Sequence, residues 1–125
     1  MDSSRIKEVI QAYFDASYEG NAGKMGTVFH DAAHIYGHGE NDALRDMDKA
    51  EFLKLVGMSA SNVPKPDYPR QDEILSIDFT GENTAVARVK LRVGTTLFTD
   101  ILSFMRLDGD WCVIAKVLSG VPVER

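Results

Sequence analysis

At Gln71 the apolar residues of this 125-residue chain change their period, and that change limits the fold more than any single motif does. Before it they recur at helical spacing: Ile6, Val9, Ile10, Tyr13 and Phe14, then Met25, Val28 and Phe29, then Phe52, Leu55 and Val56. After it they alternate. Glu73 to Phe79, Thr84 to Val93, Thr96 to Leu107 and Trp111 to Ser119 read as strands. Helical spacing buries one stripe of a helix, and alternation buries one face of a strand. Gly94-Thr95 and Asp108-Gly109 are two-residue hairpin signals, so the strands they join run antiparallel. The expected fold is α+β, with N-terminal helices laid over an antiparallel sheet built by the C-terminal half.

Local signals divide the first half. Ser3 or Ser4 caps the first helix, Gly20 ends it, and Asn21 caps a short second one. Ala33 to His38 reads as a short strand, and 39–46 as a polar turn with a short strand near Leu44. Asp48 and Glu51 form a capping-box pattern, with Met47 and Phe52 as its hydrophobic staple. Gly57 or Ser59 weakens the far end of that helix, and Pro64, Pro66 and Pro69 mark a loop over about 60–70. The length suits one domain over residues 1–125 that needs no metal or disulfide staple. The net charge of -5 opposes nonspecific nucleic-acid binding, which needs a basic footprint. A lone cysteine, Cys112, no signal peptide and no bilayer-length apolar run point to a cytoplasmic protein without membrane partners.

Tight turns without bulges would place Ala85, Ala87, Val89, Leu91, Phe98, Asp100, Leu102, Phe104, Trp111, Val113, Ala115 and Val117 on one face of the sheet. That face is nearly all apolar, so the helices must cover it. The other face carries Arg88, Lys90, Arg92, Leu97, Ile101, Met105, Ile114, Lys116 and Leu118. Its apolar residues are too many for a wetted face. The expectation is a homodimer through Leu97, Ile101, Met105, Ile114 and Leu118, with Arg88, Lys90 and Arg92 near the rim and Lys116 as a further rim charge. The alternative is that the tail Val121-Pro122-Val123 covers part of that patch.

The element order, together with Phe29-His30-Asp31-Ala32-Ala33, Phe98-Thr99-Asp100-Ile101-Leu102-Ser103-Phe104 and the run from Asp108 to Val117, resembles the nuclear transport factor 2-like (cystatin-like cone) superfamily. The likeness is to its putative lumazine-binding and SnoaL-like branches and covers nearly the whole chain. It implies a curved sheet forming a cone-shaped α+β barrel, a pocket between helices and concave face, and frequent dimers. Its members include isomerases, dehydratases, cyclases and proteins with no known activity, so fold alone does not carry function.

Asp100 is the most informative polar residue, because the register sets it among apolar neighbours under the helices. A carboxylate shielded from water can serve as a general base. Ketosteroid isomerase, a relative in fold, is a worked instance of an Asp base in such a cavity. The alternative is a structural role, in which Asp100 bonds a tyrosine, a helix end or a basic side chain. Lys116 falls on the opposite face, and one β-bulge would bring it beside Asp100. Tyr13, Phe14, His34, Tyr36, Phe52, Tyr68, Phe98 and Trp111 are the expected pocket walls and rim. His34 and His38 lie about 13 Å apart along a strand, too far for one zinc ion, so no metal and no cofactor are expected. The leading expectation is a small-molecule-binding protein for an organic ligand. The alternatives are an isomerase, dehydratase or cyclase with Asp100 as base, and a dimeric scaffold without chemistry.

Overall fold

The structure is a computed structural model that describes residues 2–62 and 68–123. Helix α1 spans Ser4–Glu19, and Gly20 closes it with a left-handed φ of 66°. Ser3 occupies the N-cap position, but its side chain makes no cap. Asp2 caps instead, its Oδ1 accepting from the Ser4 amide at 2.8 Å. Asn21 starts α2 (Ala22–Val28) by accepting from the Lys24 amide. Helix α3 spans Lys49–Asn62, and Asp48 Oδ1 accepts from the Glu51 amide at 2.9 Å. The staple residues Met47 and Phe52 are both buried. Gly57 and Ser59 do not end α3, which continues to Asn62. Pro64 and Pro66 of the expected loop lie outside the described residues.

The strands are β1 (Phe29–His38), β2 (Leu44–Asp48), β3 (Asp72–Phe79), β4 (Thr84–Val93), β5 (Thr96–Leu107) and β6 (Asp110–Pro122). They form one sheet in the order β2-β1-β6-β5-β4-β3, so its ends are free and the curved sheet does not close into a barrel. Both hairpin signals fold as turns. Gly94 adopts φ 62°, and Asp108 and Gly109 adopt 51° and 80°, the paired positive values of a type I′ turn. The sheet differs from the expected one at a single pairing: β1 lies parallel to β6. No hairpin fixes that pairing, so turn chemistry could not reveal it. A short strand near Leu44 is present as β2, which pairs with β1.

Two irregularities decide which side chains face the helices. Leu75 has no partner on β4, which leaves Ile74, Ile77 and Phe79 packed toward the core. On β6, Val113 pairs with Phe104 and Ala115 with Ser103, so Ile114 is an extra residue. Beyond this bulge every side chain of β6 changes face. Lys116 pairs with Leu102 and Leu118 with Asp100, on the helix side, and Ala115 and Val117 turn outward. Lys116 and Leu118 therefore leave the outer-face set, which keeps exposed Arg88 and Ile101 and half-buried Lys90, Leu97 and Met105. Arg92 is buried, with Tyr68 beneath its guanidinium. The tail does not fold over this face, because Val121 and Pro122 extend β6 and pair with Leu97 and Thr96.

The core lies between α1 and the inner face. Ile6, Val9, Ile10, Tyr13 and Phe14 meet Ala87, Val89, Leu102, Phe104 and Val113, all buried. Each large apolar side chain buried there contributes about 1.5–3 kcal/mol. Trp111 seals one end against Phe79, edge to face at 5.8 Å. The best local test of this reading is the α3 cap. Asp48→Ala should lower stability by about 1 kcal/mol in urea unfolding, and an unchanged midpoint would show that the cap contributes nothing.

Candidate functional site

Away from Trp111 the helices stand off the sheet and leave a cavity of about 260 Å³. Its walls come from every layer. Helix α1 supplies Tyr13 and Ser17, α2 Met25, and α3 Phe52, Leu55 and Val56. Strand β2 supplies Arg45 and Met47, β4 Leu91 and Val93, β5 Phe98 and Asp100, and β6 Lys116 and Leu118. The lining is apolar apart from a few convergent polar groups, the usual composition of a ligand site.

Those polar groups meet at one point. Asp100 has no exposed surface. Its Oδ2 accepts from the Tyr13 hydroxyl at 2.5 Å, within the range of a charge-assisted O–H···O bond. Lys116 Nζ stands 3.7 Å from the same oxygen. Among the described residues Asp100 Oδ1 has no hydrogen-bond partner. Lys116 Nζ also lies 4.5 Å from the Phe52 ring centre and 4.9 Å from that of Tyr13, so aromatic faces share its charge. Burial pushes the Tyr13 phenol well above its ordinary range, and the Asp100 charge adds to the push. Tyr13 therefore remains a donor at any physiological pH. Burial draws the Lys116 ammonium below its ordinary range, with Asp100 opposing.

Asp100, Tyr13, Phe52 and Phe98 of the expected set line this cavity together. Phe14 is packed behind Tyr13 in the core, and Trp111 sits at the sealed end against Phe79. Tyr68 packs between Tyr18 and Arg92, away from the cavity. His34 and Tyr36 stack with ring centres 6.0 Å apart, on the outer side of β1, because Ala33 and Ile35 occupy its buried side. His34 Nδ1 pairs with Asp46 at 2.6 Å, which holds the imidazole above its ordinary pKa. Tyr36 lines a separate groove with His38, Leu44 and Val117. Among the described residues no cluster of three or more His, Cys, Asp and Glu side chains is placed to hold a metal ion.

Arg45 and Met47 are wall residues that the sequence does not announce, because 39–46 reads mainly as turn and Met47 reads as half of a staple. Lys116 falls on the other face in the unbroken register, and the bulge that brings it beside Asp100 is allowed by its sequence but not required by it. The available signal was indirect: Ile114, Lys116 and Leu118 would have put a lysine and two large apolar groups on one solvent-facing row.

Residues 1–119 match the family described as putative lumazine-binding, and the chain belongs to that family. Solved structures agree on the wider group. An NTF2-like protein of unknown function from Methylobacillus flagellatus is 31% identical, with 93% of this chain and 89% of that one aligned at a TM-score of 0.74. One from Shewanella baltica is 24% identical over 94% of this chain and 92% of that one, at 0.82. A ketosteroid isomerase-like protein from Erwinia carotovora atroseptica shares the fold at 14% identity, over 94% and 95% of the chains, at 0.71. No curated protein matches the chain. No helix among the described residues is long and apolar enough to cross a membrane.

The lowered Lys116 pKa has a consequence for stability with a definite sign. An unfolded lysine titrates near 10.5, and the folded one titrates lower. Between those values the unfolded chain binds a proton that the folded chain does not, so stability rises with pH across that window. Below it the cost of burying the ammonium is fully present. Relative to Lys116→Met, the wild type should gain unfolding free energy as pH rises from neutral toward 10.5. A difference that stays flat with pH would contradict the placement of Lys116.

Proposed function

We propose that this family member is a small-molecule-binding protein whose ligand fills the cavity under α1 and α3 and donates a hydrogen bond to Asp100 Oδ1. One observation carries the reading: a fully buried carboxylate oxygen of a residue in the cavity wall accepts nothing from the described residues. Leaving a buried acceptor unmet costs about 1–3 kcal/mol, more for a charged group. A ligand N–H or O–H would recover that cost. The cavity volume suits a molecule of one or two rings, and Phe52, Phe98 and Tyr13 offer apolar faces to it. The family description supports the same chemistry, since lumazine is a flat heterocycle with N–H donors.

The isomerase-type alternative would use the same oxygen as a base. It is the second reading here, because an unmet acceptor in the cavity wall is already accounted for by a bound donor. We also propose that the outer face pairs with a second copy. Ile101, Val117 and Val121 expose apolar surface there, and no described segment covers it. Such patches commonly mark interfaces.

Calorimetric titration with lumazine, as the first N–H-bearing heterocycle to try, tests the ligand reading. Asp100→Asn should weaken binding roughly 10–100-fold, the value of one hydrogen bond to a charged acceptor. Equal affinity in both proteins would refute the role of Oδ1. Turnover lost with binding retained would favour the isomerase reading. Ile101→Glu with Val117→Glu should convert a dimer to a monomer in sedimentation. A wild-type monomer at high concentration would refute the proposed pairing.

A further inference from the structure

Lys116 is an expensive residue to keep where it is. It is 6% exposed, and its charged neighbour in the cavity is Asp100. Its 3.7 Å separation from Asp100 is an ion pair, longer than a hydrogen bond. Replacing such a buried pair by apolar side chains of similar size is commonly neutral or stabilising. A β-bulge at Ile114 nevertheless turns this side chain inward, and bulges often re-aim a side chain at a site. A ligand that needed only the Asp100 acceptor would not need an amine beside it.

We propose that Lys116 Nζ is a nucleophile that captures an aldehyde or ketone as an imine, with the apolar cavity holding the body of the carbonyl compound. The inference rests on the reading of the cavity as a ligand site. The geometry supplies each part of the step. The ammonium gives a proton to Asp100, and the free amine adds to the carbonyl carbon. The resulting carbinolamine hydroxyl takes the proton back from Asp100 and leaves as water. The product is an iminium beside a carboxylate, so the cavity begins and ends with one positive and one negative charge. No oxidant or reductant is consumed, and hydrolysis reverses the step. Tyr13 holds Oδ2, which leaves Oδ1 free to face the carbinolamine hydroxyl.

Burial favours the neutral amine that the addition needs. The titratable and charged groups lining the same cavity are Asp100 from β5, Tyr13 from α1 and Arg45 from β2, and α3 presents the apolar Phe52. Of these, Asp100 holds the proton on Lys116, and Tyr13 stays neutral. The capture rate should therefore rise with pH while Lys116 loses its proton, at lower pH than for a solvent-exposed lysine.

The test uses benzoylacetone, a diketone that condenses with a neutral amine, losing water, to give an enaminone visible in the near ultraviolet. Butylbenzene, which lacks carbonyls, reports cavity occupancy by NMR. The expected result is one enaminone per chain, mapped to Lys116 by peptide mass spectrometry and absent from Lys116→Met. That variant should remain folded by circular dichroism, and butylbenzene should bind the wild type. Asp100→Asn should slow adduct formation about a hundredfold, the lower end of what a positioned proton carrier contributes. An unchanged rate in Asp100→Asn would overturn the shared-proton step. Adducts spread over surface lysines, with none at Lys116 while butylbenzene still binds, would overturn the imine and leave the cavity reading standing. No adduct and no butylbenzene binding would overturn both.

Discussion

The buried carboxylate of Asp100 sets the terms on which the rest of the domain packs. A charge with no access to water must be met by donors or counter-charges, or the fold loses several kcal/mol. Here the donors come from opposite ends of the sequence. Tyr13 reaches down from α1, and Lys116 reaches across from β6. Helix α1 can therefore lie on the sheet in few registers, because its one buried hydroxyl must land on Oδ2. The apolar stripe around Tyr13 supplies the adhesion, and the Tyr13–Asp100 contact supplies the address.

The second constraint is the bulge. An unbroken β6 would pair Lys116 with Ile101 on the outer face, leaving Asp100 with Tyr13 alone. The extra residue at Ile114 exchanges Ala115 for Lys116 opposite Leu102 and Val117 for Leu118 opposite Asp100, on the inner face and in the cavity wall. One inserted residue thus does two jobs: it neutralises the buried acid and shapes the space beside it. The cavity exists on this side because α3, capped at Asp48, holds Phe52, Leu55 and Val56 over the sheet without filling the gap.

What was legible in the sequence follows from the range of the physics involved. Capping and turn chemistry act over a few residues, so Gly20, Asn21, Asp48, Gly94 and the Asp108-Gly109 turn could all be read directly. Alternation fixed the inner face of β4 and β5, and with it the position of Asp100. The parallel β1–β6 pairing and the Ile114 bulge depend on contacts between distant segments, and no local residue preference encodes them. The site followed the same division. Tyr13, Phe52, Phe98 and Asp100 were readable from periodicity. His34, Tyr36, Tyr68, Phe14 and Trp111 shared the aromatic character of a pocket wall without its position. Arg45 and Lys116 required the tertiary register. The family and its structural relatives establish the fold, and the chemistry rests on this chain's own side chains.

The central claim is that the β6 bulge sets Lys116 against Asp100 inside the cavity. Nuclear Overhauser contacts from the Lys116 side-chain methylenes test it most directly. Contacts to the Phe52 and Tyr13 rings, with ring-current shifts on those methylenes, are the expected result. Contacts instead to Ile101 on the outer face would contradict the bulge and the site built on it.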